Sequence, residues 1–391
     1  MSLLNGKQKM LYILIPFMLV FLAACGQSSN EVNSDADNTG TNQAAADTDG
    51  NDANQRTSDS EKTVISLRIG AGAPLESSVW LQPIKNYFMP EVDKALESTN
   101  YEIEWHENWG TIGNMSEELE AIESGILDVG FSTAAFQPRH LMISSIGFNT
   151  PFSSSDPNVI AEVADRMKDE FEEFAGEYEA VNAKLLGFAI SENYSLITTF
   201  PVEKLEDMEE RRVAGASANQ RWLEASGATP VQSALTEAYQ SLQSGVYEGF
   251  VVFTSSMIGF KLYEQAEYLT NVNFGSMNLG GLVVNMDTWN ELPGEVQEVF
   301  EKVGEEFTFE SARYAKEAEL ANFEEMEKQG VKISELPAEE ESVWAEKLAG
   351  MPQDYAEELN NAGLPGTELM QSFIQFQMDA GHEFPSPYVI E

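Results

Sequence analysis

The chain has 391 residues, with 65 Asp and Glu against 22 Lys and Arg, for a formal net charge of −43. Such a polyanion repels phosphate backbones, which excludes nucleic acid as a partner, and its length exceeds what one compact core usually spans, so two domains are expected. The single cysteine, Cys25, and three scattered histidines, His106, His140 and His382, leave no disulfide framework and no Cys/His zinc spacing.

Lys7 and Lys9 precede an apolar run from Met10 to Ala24. The run is shorter than the ~20 residues that span a bilayer. A basic start, a short apolar stretch and small residues before a cleavage point predict a secretory signal over residues 1–24. Leu22-Ala23-Ala24-Cys25 resembles the bacterial lipobox, which implies lipidation of Cys25 and a location on the outer face of the cell membrane. Residues 25–62 are rich in Asn, Asp, Ser, Thr, Ala and Gln and almost free of branched aliphatics. Such a segment cannot offset its ordering entropy by burial and is expected to be an acidic tether.

The folded body begins with a strand over Val64 to Gly70. Trp80, Ile84, Phe88 and Val92 are spaced for a helix over 78–94, despite Pro83 and Pro90. Tyr101 to Trp105 alternates like a strand, Met115 to Glu123 is helical, and Ile126 to Phe131 is a buried strand. Strands are expected at 184–190, 194–198, 211–214, 249–254 and 279–285, with helices at 220–225 and 237–243. From Pro293 the apolar period continues through Val296, Phe300, Val303, Phe307 and Met326 to about Gln329, predicting one long helix. The alternation of strands and helices argues for α/β layers. The expected architecture has two lobes and an interlobe cleft. Residues 63–190 plus about 275–305 form the first lobe, and about 191–274 plus 306–391 the second, with the long helix bridging them.

Three stretches in this order are similar to the solute-binding subunit of tripartite ATP-independent periplasmic (TRAP) transporters. The first is Gly110 to Gly130. The second and most specific is Pro201 to Gly249, with Leu205-Glu206-Asp207-Met208, Arg211-Arg212-Val213, Gly227-Ala228-Thr229-Pro230-Val231 and Gly245-Val246-Tyr247-Glu248-Gly249. The third is Val284-Asn285 with Trp289 and Leu292-Pro293. The resemblance implies a periplasmic-binding-protein-like fold that closes over a small organic acid. It also implies delivery to large and small membrane subunits driven by an ion gradient, with no cofactor and no catalysis. A lipid-anchored monomer is the expected form.

A ligand carboxylate calls for a planar, permanently charged fork. In the family this arginine precedes a valine. Counting back from Gly227-Ala228 gives Arg212, whereas counting forward from Asp207 gives Ala214. Arg212 is preferred; the bland reading is a surface pairing with Glu209 or Glu210. Arg221, on the next helix, is a second anion partner or a solvated helix face. Tyr194 stands where many relatives carry a second arginine and offers a hydroxyl without charge. Leu235 and Phe253 form an apolar wall or simply pack in the core, and Met115, Leu119 and Ile122 read as core. Trp109, on the turn after a strand, and Ser132 with Thr133, at a strand's carboxyl end, complete the candidates, since open α/β sheets take ligands at such ends. The implied ligand has one dominant carboxylate and an apolar body. The competing reading is a sugar-binding lipoprotein of an ATP-driven importer, in which Trp105, Trp109 and Trp222 would stack on the sugar.

Overall fold

The computed structural model describes residues 62–391, so the expected signal segment, Cys25 and residues 26–61 of the tether lie outside the described residues. The strands in chain order are β1 (Thr63–Ala71), β2 (Tyr101–Trp109), β3 (Val129–Thr133), β4 (Ala183–Ile190), β5 (Tyr194–Thr198), β6 (Arg212–Gly215), β7 (Thr229–Gln232), β8 (Gly249–Phe253), β9 (Tyr268–Asn271), β10 (Asn278–Asn285) and β11 (Lys332–Glu335). The helices are α1 (Met89–Leu96), α2 (Glu118–Glu123), α3 (Pro157–Glu170), α4 (Glu173–Glu179), α5 (Gln220–Ala225), α6 (Leu235–Gln243), α7 (Thr254–Gly259), α8 (Met286–Glu291), α9 (Gly294–Lys328), α10 (Ala338–Leu348), α11 (Met351–Asn361) and α12 (Gly366–Asp379).

The strands form two sheets, ordered β2-β1-β3-β10-β4 and β11-β9-β5-β8-β6-β7. In the first, β1 runs parallel to β2 and β3, and β10 is antiparallel to β3 and β4. In the second, β5 is antiparallel to β8 and β9, while β6 is parallel to β7 and β8. Every residue of β3, β8 and β10 is buried. This explains the apolar runs Phe250–Phe253 and Leu282–Val284, since a strand covered on both faces has no polar side to alternate.

β10 belongs to the first sheet although it follows β9 of the second, so the chain crosses between lobes at 191–193 and again near 272–277. The two crossings are laced together. Ser191 N donates to Met277 O at 2.8 Å, Met277 N to Ser191 Oγ at 2.9 Å, and Gly275 N to Asn193 Oδ1 at 3.0 Å. The long helix expected from Pro293 is the 35-residue α9, roughly 50 Å long at ~1.5 Å per residue. It covers the edge strand β4 and supplies that edge with acceptors. Thr308 Oγ1 takes Phe188 N at 3.0 Å and Ser311 Oγ takes Ile190 N at 2.6 Å, so the outer N–H groups of β4 are not left bare. The contact is close because two glycines meet: a Cβ on Gly187 would lie 2.1 Å from Gly304 O.

One expectation differs from the structure. The helix expected over 78–94 is a 3₁₀ turn at Val79–Leu81, a π turn at Ile84–Phe88 and then α1, because Pro83 and Pro90 each remove an N–H from the helical ladder. In the C-terminal segment, β11 pairs with β9 of the second sheet and Trp344 of α10 donates Nε1 to Trp222 O at 2.9 Å, after which α12 packs against α3. There Ser154 N donates to Gln377 Oε1 at 2.8 Å, the Arg166 guanidinium lies 3.5 Å from the Phe376 ring centre, and Tyr388 Oη donates to Pro151 O.

Candidate functional site

β3 and β8 both end at the seam between the lobes, and the loop after β6 reaches it as well. A narrow cavity of about 30 Å³, partly open to solvent, lies there, far below the ~300–1,000 Å³ usual for small-molecule sites and room for about one water molecule. From the first lobe it is lined by Trp80, Met115, Thr133, Ala135, Phe136 and Leu279. From the second it is lined by Tyr194, Ala216, Asn219, Leu235 and the run Phe250 to Phe253. The lobes touch across it: Ser217 Oγ donates to Ala135 O at 2.8 Å, and the Trp80 and Phe253 rings meet edge-on with centroids 5.5 Å apart. Tyr194 and Phe253 are direct cross-strand partners, centroids 5.3 Å apart, and Trp222 backs Tyr194 at 5.7 Å.

Few polar atoms face this space. Thr133 is held by the buried Glu118, whose Oε2 accepts from Thr133 N at 3.0 Å and from Thr133 Oγ1 at 2.7 Å, while Oε1 accepts from Gly72 N at 2.9 Å. Burial pushes the Glu118 carboxyl up to about 7 against the opposing pull of those hydrogen bonds. Burial alone pushes the Tyr194 phenol up, with no hydrogen bond offsetting it. Asn219 is 1% exposed, and its Nδ2 has no partner among the described residues. An orphaned amide in an apolar wall costs stability, typically about 1–3 kcal/mol, unless a ligand or water completes it.

Two further cavities adjoin this one. The inner shares Trp80 and Phe253 and reaches Glu192 and Ser311; the outer shares Met115 and Phe136 and reaches Glu237. Glu192 lies on the 191–193 crossing. Its Oε2 accepts from Thr254 Oγ1 at 2.6 Å and Ser255 N at 2.7 Å, and Oε1 accepts from Ser255 Oγ. Burial, with Glu319 on α9 adding repulsion, pushes its carboxyl up to about 8. Glu319 itself rises to about 7, chiefly through burial. Among the described residues, no Lys, Arg or His lines any of the three cavities.

The structure therefore corrects the placement of the arginines. Arg212 is exposed at the outer end of β6 and donates Nη2 to Gly245 O at 2.9 Å. Arg211 pairs with Glu248 at 2.8 Å and stacks over Phe200, and Arg221 pairs with Asp354 at 2.5 Å. The cause is depth along the strand: β6 enters the sheet at Arg212, whereas the cavity lies beyond its far end at Ala216. Ala214, the other count's position, is fully buried and uncharged. Trp109 ends the edge strand β2 and donates Nε1 to Glu107 Oε2 at 2.7 Å, outside the cavity. Ser132 lies on the opposite face of β3, against Tyr178. Tyr194, Leu235, Phe253 and Thr133 all line the cavity. Sequence reasoning missed Trp80 and Asn219, while Met115, read as core, is buried in the core and also borders the cavity; in sequence only Asn219's place in the loop between strand and helix marks it.

Two α/β lobes, crossed by several connections and enclosing a cavity at strand ends, define a solute-binding architecture. Residues 78–358 match the family described as bacterial extracellular solute-binding protein, family 7 (DctP), and the chain belongs to it. It is a solute-binding protein of the TRAP type. The C4-dicarboxylate-binding periplasmic protein DctP of Rhodobacter capsulatus is 27% identical over 247 residues, 62% of this chain and 73% of that protein. A TRAP periplasmic solute-binding protein from Desulfovibrio salexigens, solved as an open complex, superposes with a TM-score of 0.67 at 21% identity, covering 81% of this chain and 96% of that one. A TRAP solute-binding protein from Rhodoferax ferrireducens in complex with copurified benzoate gives a TM-score of 0.71 at 15% identity, covering 81% and 98%.

Proposed function

We propose that this chain is an extracytoplasmic receptor that closes its lobes over a small organic acid with an apolar body and hands it to TRAP membrane subunits. The observation that carries this reading is the narrow cavity between the lobes, whose walls come from both and are almost wholly aromatic and aliphatic. Closure then buries the ligand's body on all sides, at about 25 cal/mol per Å² of apolar surface removed from water. Of the compounds named for relatives, benzoate suits such walls better than a C4-dicarboxylate, which would need charged partners at both ends. Lipidation at Cys25 would hold the receptor at the outer face of the membrane, with the acidic segment as its tether. The protein acts as a monomeric binder and not as an enzyme.

A thermal-shift screen tests the reading. Apolar monocarboxylic acids are expected to raise the unfolding temperature by mass action. If neutral sugars stabilise the protein and no acid does, the receptor serves a different class of importer.

A further inference from the structure

Glu192 lies on the crossing between the lobes, and its carboxyl is held from one side, by Thr254 and Ser255 at the start of α7. Its other side borders a space of about 10 Å³, at most room for one water. Val79, Trp80 and Pro83 of the first lobe close that space, together with Ser311 and Tyr314 of α9. Two contacts between the lobes seal it. Trp80 meets Phe253 edge-on, and α7 lies so near the first lobe that a Cβ on Gly259 would sit 2.2 Å from Ser77 O. The titratable groups facing Glu192 are Glu319 and Tyr314, both on α9. Neither α7, residues 77–83 nor the second crossing at 272–277 brings a charged side chain. Lys316 of α9 is paired with Asp156 at 2.7 Å, while Asp156 and Glu335 of β11 add repulsion to Glu319.

The carboxyl is therefore sealed from water by the other lobe and balanced by no cation. Parting the lobes withdraws residues 77–83 from α7 and the crossing, and water then reaches the carboxyl and favours its ionised form. Bringing the lobes together reverses this and favours the proton. We infer that lobe closure takes up a proton at Glu192, so that acid conditions hold the receptor closed and a rise in pH opens it. The inference rests on the proposed function, because it concerns the regulation of that same closure. The sign follows from linkage. With the lobes together the carboxyl stands at about 8, and hydration on opening returns it towards 4.5. Between those values the closed-to-open ratio falls by up to about tenfold per pH unit.

The outer cavity is bordered by the loop before α2 and by the start of α6, so these helices flank its mouth from the two lobes. Spin labels at Glu120→Cys on α2 and Gln240→Cys on α6, both exposed sites, report the separation of the lobes. Pulsed double electron resonance on the detergent-solubilised full chain, without ligand, compares about pH 5 with about pH 8. The two single-cysteine variants account for any label on Cys25. The ratio of the longer to the shorter distance is expected to rise at least tenfold from the lower to the higher pH. Glu192→Gln should hold the shorter distance at both, and Glu319→Gln should keep the pH response. Wild-type distances that do not change with pH overturn the inference, without help from any variant. A response that Glu192→Gln retains in full overturns it as well. Either result leaves the organic-acid receptor standing, since that reading falls only if the thermal-shift screen finds no acid that stabilises the protein.

Discussion

Replacing Glu192 by glutamine gives a stability change that depends on pH in a defined direction. The carboxyl lies on the crossing between the lobes, 2% exposed, accepting from Thr254 Oγ1 and from Ser255. Its folded-state pKa of about 8 lies above the ordinary 4.5. A raised carboxyl is protonated in the folded state, so its contribution is complete below about 4.5 and is lost as pH rises towards about 8. At about 1.4 kcal/mol per pH unit, the loss amounts to at most roughly 5 kcal/mol by pH 8. Glutamine keeps the acceptor for Thr254 and Ser255 and cannot ionise. Urea unfolding of wild type and Glu192→Gln at about pH 5 should give similar stabilities, with the variant becoming the more stable by several kcal/mol at about pH 8. Parallel curves, with a gap that does not change between the two conditions, would refute the reasoning: Glu192 would then be ionised or solvated in the folded protein.

Arg212→Ala should leave ligand affinity within about twofold, because the guanidinium is spent on Gly245 O at the outer end of β6; a loss beyond about tenfold in a binding titration would return the anion clamp to this residue. Gly304→Ala forces a Cβ to within 2.7 Å of Leu186 Cβ and 2.9 Å of Leu186 O, and should cost about 1–3 kcal/mol in urea unfolding as α9 is pushed off β4. An unchanged midpoint would mean that the helix and strand separate at no cost.

Periodicity carried much of the fold. The strand at Tyr194–Thr198 and the helix at Gln220–Ala225 have the bounds their patterns imply, and the long helix after Pro293 follows its apolar repeat to Lys328. What periodicity could not carry was placement at long range. The return of α12 to α3 depends on contacts such as Gln377 with Ser154, more than two hundred residues apart in sequence, and no local pattern encodes them. The site divides in the same way. Tyr194, Leu235 and Phe253 are residues of strand and helix ends, where ligands are expected in α/β folds. The choice between Arg212 and Ala214 was beyond alternation, because residues two apart on a strand point to the same face. Only depth along β6, fixed by where it enters between β7 and β8, separates an exposed position from a buried one. Asn219 was missed because a polar residue in a loop looks solvated until three dimensions bury it.

The central claim is that the ligand sits between the lobes, and a crystal structure of the protein with its copurified or soaked ligand tests it most directly. The account predicts density enclosed by Trp80, Phe253 and Leu235. Ligand density lying against Arg212 or Arg221, with the interlobe cavity empty, would contradict it.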